Sequence, residues 1–190
     1  MVELTQNERK TILVLFKDFN SYHNARTISK ILNISHVGAQ KICKRLLKEN
    51  ILTSKRIGKS IIYKVNNNDD YVKSLVTFLL ADEAHHFKRW QEEFRELKGN
   101  IVIIYGSAIK DYAHARDIDI IVVIEKDDKE IQKILKKKEE ILPKKLHAII
   151  LTQKDLRENI KKKDKVIIDI VKNAVILYGQ EKYTEILGEP

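Results

Sequence analysis

The sequence predicts an α/β protein made of two unlike parts joined by a helix, and three observations carry that expectation. The first is charge: residues 1–68 hold 13 Lys/Arg against four Asp/Glu, whereas residues 69–190 hold 23 of each. The whole net charge of +9 therefore sits in the first third of the chain. The second is a hydrophobic rhythm in that third, which reads helix, helix, turn, helix, then two short extended segments. The third is a pair of apolar strands, 101–105 and 117–124, with Gly106-Ser107 after the first and Asp117-Ile118-Asp119 opening the second. Three divisions follow: a basic α+β part over 1–68, a long connecting helix over 69–98, and a small mixed-sheet α/β part over 99–190.

Composition narrows the classes of function. The chain has 190 residues, 43% apolar and 33% charged, which is the balance of an ordinary soluble globular protein. No apolar run approaches the ~18 residues that cross a bilayer. The opening segment MVELTQNERK has no apolar stretch of the secretory kind, so no membrane partner is expected and the cytoplasm is the expected compartment. Cys43 is the single cysteine, which excludes an intramolecular disulfide and a Cys-based zinc site. It falls among apolar helix positions and reads as a small core residue. The six glycines include no Walker-type phosphate loop. No Gly-x-Ser-x-Gly elbow or Cys/His couple points to a hydrolase.

In the basic part, a helix is expected over 5–20, with Thr5 and Glu8 spaced as a capping box and an apolar face from Leu4, Ile12, Leu13, Leu15, Phe16 and Phe19. A second helix covers 25–32, with Ile28, Ile31 and Leu32 inward. After the turn Asn33-Ile34-Ser35, a third helix runs over about 36–50, with Ser35 as N-cap and Val37, Ile42, Leu46 and Leu47 as its apolar stripe. Extended segments at 51–57 and 60–65 are joined by Gly58-Lys59.

This order, carried by ARTISKILNISHVGAQKICKRLLKENIL and SKRIGKSIIYKV, resembles the winged helix-turn-helix domains of bacterial and archaeal transcription regulators over residues 4–66. The resemblance implies a third helix in the major groove of double-stranded DNA and a hairpin tip on backbone or minor groove. It assigns Ser35, His36, Gly38, Ala39, Gln40, Lys41, Lys44 and Arg45 to the DNA face of that helix, and Lys55, Arg56 and Lys59 to the wing. Elementary chemistry agrees. Small residues at the helix start let backbone approach DNA, and Gln40 and Lys41 can reach base edges. Lys44, Arg45 and the wing cations suit phosphates. The other use of such a domain is protein contact or dimerisation.

Asn66 to Asp70 is a polar break, and 71–98 then reads as one helix in which Val72, Val76, Leu79, Phe87, Trp90, Phe94 and Leu97 recur at spacings of three and four. Such a helix either packs along the C-terminal part or pairs with its counterpart in a homodimer. Asp82, His85 and His86 read as exposed helix residues rather than metal ligands.

In the neutral part, residues i and i+2 of a strand share a face, so Asp117 and Asp119 converge while Ile118 enters the core. Two acids on one face repel each other unless a cation sits between them. Mg²⁺ (or Mn²⁺) takes oxygen ligands, commonly one or two carboxylates plus substrate phosphates. Gly106 permits close backbone approach, and Ser107 offers a hydroxyl and an amide to a triphosphate. The stretch IVIIYGSAIKDYAHARDIDIIVVIE is similar to the minimal nucleotidyltransferase branch of the DNA polymerase β superfamily. LHAIILTQKDL and AVILYGQEKYTEIL resemble the later part of that domain, so the resemblance covers residues 99–188.

The resemblance implies that Gly106 and Ser107 hold the phosphates of an NTP and that Asp117 and Asp119 are catalytic and bind Mg²⁺ or Mn²⁺. It implies transfer of a nucleoside monophosphate to a hydroxyl acceptor with release of pyrophosphate, and a small helical partner protein. The superfamily's third carboxylate is expected on the strand 145–152, where this chain has no acid. His147, Glu125 and Asp169 are the candidates to stand in for it. Two readings are open at this point: a DNA-binding protein with a metal-dependent nucleotidyltransferase domain, and a regulator whose inactive domain senses nucleotide or binds a partner. The runs Lys136–Lys138, Lys144-Lys145 and Lys161–Lys163 read as solvated faces.

Overall fold

The computed structural model describes residues 3–126 and 129–188, and the chain divides into two compact units, 1–79 and 80–190. In the first, α1 (Gln6–Lys17) opens on the expected capping box. The Thr5 hydroxyl accepts from the Glu8 N–H, and the Glu8 carboxylate accepts from the Thr5 N–H at 2.8 Å. Asn24 caps α2 (Ala25–Leu32), which ends at Asn33 in the left-handed region, φ +52°. Ser35 caps α3 (His36–Lys48). The strands β1 (Leu52–Ile57) and β2 (Ser60–Val65) pair antiparallel around Gly58-Lys59, with Gly58 at φ +58°.

Ile12, Phe16, Ile28, Ala39, Cys43, Leu46, Ile51 and Leu52 are buried in this unit, each large aliphatic side chain contributing about 1.5–3 kcal/mol. The buried His23 ring sits 3.1 Å from the Asp18 carboxylate, and the His23 carbonyl accepts from the Tyr63 N–H, tying the α1–α2 loop to β2. Three helices followed by a two-stranded wing make this a winged-helix fold.

The connecting segment is helical in three pieces rather than one: α4 (Asp70–His85), α5 (Lys88–Glu93) and a 3₁₀ turn at Arg95–Leu97. The break falls at His86-Phe87, where Phe87 leaves helical geometry at φ −112°, ψ +38°. Beyond it, Trp90, Phe94 and Leu97 join Ala84 in one buried cluster with the sheet residues Val102, Ile104 and Val122. A straight continuation would carry its stripe in one direction. The turn re-aims these side chains onto the sheet.

The C-terminal unit is a four-stranded mixed sheet of β3 (Ile101–Tyr105), β4 (Asp117–Ile124), β5 (Lys145–Thr152) and β6 (Val175–Tyr178), in the order β5-β4-β3-β6. β3 runs antiparallel to β4 and β6, whereas β4 and β5 are parallel and are connected through α6 (Lys129–Ile141). The helices α7 (Gln153–Lys161), α8 (Lys165–Asn173) and α9 (Gln180–Gly188) complete the unit. Ile120 to Ile124 are all buried, as befits a central strand covered on both faces. The even-numbered residues Ile118, Ile120, Val122 and Ile124 pack with Ile131 and Leu135 of α6. Asp117 and Asp119 share the opposite face with Ile121 and Val123. Among the described residues, no helix is long and apolar enough to cross a membrane.

Candidate functional site

The exposed face of α3 carries His36, Val37, Gln40, Lys41, Lys44 and Arg45. Ser35 begins it, with its hydroxyl accepting from the Gly38 N–H at 3.0 Å. A Cβ at Gly38 would come within 3.1 Å of that hydroxyl, so the small residue supports the cap. Two positions differ from expectation. Ala39 is fully buried, and Val37 is 59% exposed. The core line is Ala39–Cys43–Leu46, stepping by four and three, and Val37 stands two residues off it, on the other side of the helix. Val37 instead falls in line with Gln40, Lys41 and Lys44, an apolar contact among polar ones. Burial pushes the Cys43 thiol up to about 11, which keeps it protonated at neutral pH and fits a core residue.

Arg45 is engaged inside the fold. Its Nη1 donates to both Glu8 oxygens at 3.0 Å and its Nη2 to the Glu3 carbonyl at 2.7 Å. On the wing, Lys55, Arg56 and Lys59 are exposed. Arg26, which the sequence reading omitted, lines one cleft with His36, Gln40 and Lys59. Nothing in its local sequence distinguishes it from other surface arginines; only the fold brings the start of α2 beside α3 and the wing.

In the C-terminal unit, the parallel register sets Asp117 opposite Lys145 and Asp119 opposite His147, while antiparallel pairing sets Asp119 opposite Tyr105. His147 Nδ1 lies 3.3 Å from Asp119 Oδ1 and 3.5 Å from Asp117 Oδ2. One ligating atom from each of the three residues falls within 4.8 Å of the others. Burial, and then the Asp117 charge, push the Asp119 carboxyl above its ordinary value, against the pull of the His147 hydrogen bond and charge. Burial and the same two carboxylates raise the Tyr105 hydroxyl, a neighbour that the sequence reading did not single out.

Gly106 follows Tyr105 at φ +81°, and a Cβ there would collide with the Asp119 carboxylate. Glycine is thus required twice, by conformation and by space. Ser107 is exposed, and its carbonyl accepts from the Lys110 and Asp111 N–H groups at 3.0 and 2.9 Å, which turns the chain immediately after the strand. The loop to Asp117 is braced from outside. Lys144 Nζ donates to the carbonyls of Tyr112 at 2.6 Å, Ala113 at 3.2 Å and Ala115. The Tyr112 ring lies against Arg89 at 4.0 Å and Lys144 at 4.6 Å. Lys144 is therefore a loop brace rather than part of a solvated run.

Residues 91–182 match the model of the family described as Polymerase beta, Nucleotidyltransferase. The C-terminal unit is a nucleotidyltransferase-like domain. Similar solved structures include the Adhesin competence repressor (AdcR) of Streptococcus pyogenes, at 16% identity and TM-score 0.39, over 50% of this chain and 68% of that one. A zinc-responsive MarR family member, Lactococcus lactis ZitR, matches at 19% and 0.37, over 50% of this chain and 62% of that one. A ZitR structure in complex with DNA matches at 18% and 0.37, over 52% and 63%. The chain thus spans less than two thirds of these ZitR chains. Comparison with curated proteins finds no match.

Within the nucleotidyltransferase-like domain, the three candidates for the third position separate cleanly. His147 meets both aspartates. Glu125 lies six residues beyond Asp119, about 20 Å along the chain direction at strand rise, and is bonded to Lys182 Nζ at 2.6 Å. Asp169 belongs to α8 and is exposed. The donor set of two carboxylates and an imidazole around a Cβ-free Gly106 fits a divalent cation.

Proposed function

We propose that the chain is a DNA-binding protein whose nucleotidyltransferase-like domain transfers a nucleoside monophosphate from an NTP to a hydroxyl acceptor. The observation that carries the reading is the convergence of Asp117, Asp119 and His147 beside Gly106. A divalent ion bound there supplies Lewis-acid charge to the triphosphate and the leaving pyrophosphate. The chain's own residues do the positioning. Asp117 and Asp119 hold the ion, Gly106 leaves room for the Asp119 carboxylate against the backbone, and the exposed Ser107 offers its hydroxyl and amide to the phosphate oxygens. Lys144 and the Arg89–Tyr112 stack hold the intervening loop, so the phosphate-facing turn and the acids keep a fixed separation.

In the winged-helix unit, Val37, Gln40 and Lys41 face base edges, with Val37 suited to a thymine methyl. Ser35, His36, Lys44, Lys55, Arg56 and Lys59 address the backbone, together with Arg26. Arg45 braces α3 against Glu8. The exposed Tyr71 and Phe78 of α4, in a groove with Leu4 and Leu75, support a homodimer through that helix, which size-exclusion chromatography with light scattering checks. His147 standing where the superfamily has an acid supports the second reading, a regulator with an inactive, nucleotide-sensing domain.

Incubating the full chain with labelled NTPs, Mg²⁺ or Mn²⁺ and cellular RNA and protein separates the two readings. Transfer predicts incorporation that Asp117→Asn/Asp119→Asn abolishes. No incorporation above that double variant, with metal binding intact in the wild type, leaves the sensing regulator.

A further inference from the structure

The place opposite Asp119 on β5 is held by an imidazole, and its geometry is specific. His147 Nδ1 is 3.3 Å from one carboxylate and 3.5 Å from the other. An ion bound at about 2.0–2.2 Å by nitrogen and oxygen donors sets neighbouring donors roughly 3.0–3.5 Å apart, the edge of its tetrahedron or octahedron. The two His147 separations are of that size before any ion arrives. Ca²⁺, with bonds of about 2.3–2.6 Å and six to eight oxygens, needs a wider cage made of oxygen alone. Mg²⁺ is hard and takes oxygen, whereas imidazole suits first-row transition ions.

The rest of the site is consistent with a small ion held at an open position. β5 is an edge strand, and the His147 side chain is 44% exposed, so an ion has an entry path. Two carboxylates balance a dication, and a neutral imidazole adds a donor without adding charge. Three protein ligands leave coordination positions for water or phosphate, as catalytic metal sites do.

We propose that Asp117, Asp119 and His147 form a mixed nitrogen–oxygen site that selects a first-row transition ion (Mn²⁺, Co²⁺ or Zn²⁺) over Mg²⁺. The inference rests on the nucleotidyl-transfer reading for its location, and it requires no turnover. His147 is a metal ligand here, and its identity sets which ion the domain takes.

The test uses chelator-stripped full-length protein. Co²⁺ is titrated while its visible ligand-field absorption is followed, and Mn²⁺, Zn²⁺ and Mg²⁺ are compared by calorimetry. The wild type is expected to bind Mn²⁺, Co²⁺ and Zn²⁺ at least about tenfold tighter than Mg²⁺, the softer ions gaining from the imidazole. His147→Ala loses the nitrogen-ligand absorption and weakens Co²⁺ at least about tenfold, the scale of damage to a metal's ligand shell. His147→Asp brings Mg²⁺ back towards Mn²⁺. Circular dichroism confirms that each variant is folded. Equal affinity of the wild type for Mg²⁺ and Mn²⁺, or unchanged Co²⁺ binding in His147→Ala, overturns the proposal. His147-dependent Co²⁺ binding without NTP incorporation keeps the site and removes the transferase. Incorporation on Mg²⁺ alone, equal in His147→Ala, removes the selectivity and keeps the transferase.

Discussion

In the N-terminal unit the residues proposed to meet phosphate are cations spread over an exposed helix face and a hairpin tip, whereas in the C-terminal unit they are two partly withdrawn carboxylates, an imidazole and a glycine turn. The first arrangement asks little of the fold. Lys41, Lys44, Lys55 and Lys59 are all exposed, so no charge has to be buried to place them. Their contribution is additive and screened by salt. The second arrangement sets like charges beside each other in a partly desolvated pocket, which raises the Asp119 carboxyl. Distributed cations give long-range attraction with little geometry. Converging acids give geometry at the expense of stability, and they require a metal to turn repulsion into binding.

Substitutions on each side sharpen that contrast. Gly106→Ala has the largest expected effect, because its side chain would occupy the space of the Asp119 carboxylate at a positive φ. Metal binding should fall more than about tenfold and stability by about 1–3 kcal/mol, the cost of an L side chain in strained backbone. Calorimetry and thermal denaturation read the two effects. In the other unit, Arg45→Ala leaves the Glu8 carboxylate, 3% exposed, without its guanidinium. About 1–3 kcal/mol of stability is expected to go, a broken ion pair discounted for the solvent on the arginine side. The salt slope of DNA binding should barely move. Lys44→Ala is expected to do the reverse, lowering the slope of log K against log salt by about 0.9 with little change in stability. If Arg45→Ala changes the slope and Lys44→Ala does not, the assignment of brace and phosphate contact is inverted.

The smallest effect concerns pH. Asp119 has a folded value raised above the ordinary 3.8 by burial and by Asp117. Its favourable contribution is full below the unfolded value and is lost as pH rises through the raised folded value. Metal-free Asp119→Asn should therefore melt above the wild type at neutral pH. The gap should narrow as pH falls towards 3.8. Melting curves of stripped protein across that window check the sign.

Much of this molecule is legible in the sequence, and the exceptions share a cause. The capping box at Thr5 and Glu8, the cap at Ser35 and the wing turn at Gly58-Lys59 are local signals, and they fold as read. The convergence of Asp117 and Asp119 follows from strand periodicity alone. Ala39 and Val37 depart from the pattern because a small residue is ambiguous in a hydrophobic rhythm and a valine looks apolar wherever it points. The helix break at His86-Phe87 comes from packing of Trp90 and Phe94 on a sheet that follows them in sequence. Arg45 with Glu8, and Lys144 with the carbonyls of residues 112, 113 and 115, are pairings across about 30 residues or more that no spacing reveals. His147 is intermediate. Its residue type is plain, but only the parallel register of β4 with β5 puts it opposite Asp119 rather than a residue away.

The most direct test of the central claim is calorimetric titration of a non-hydrolysable NTP into the stripped full-length protein, with and without Mn²⁺, for wild type and Asp117→Asn/Asp119→Asn. Metal-dependent nucleotide binding that the double variant loses is the predicted result. Binding that needs no metal, or that survives loss of both carboxylates, would contradict it.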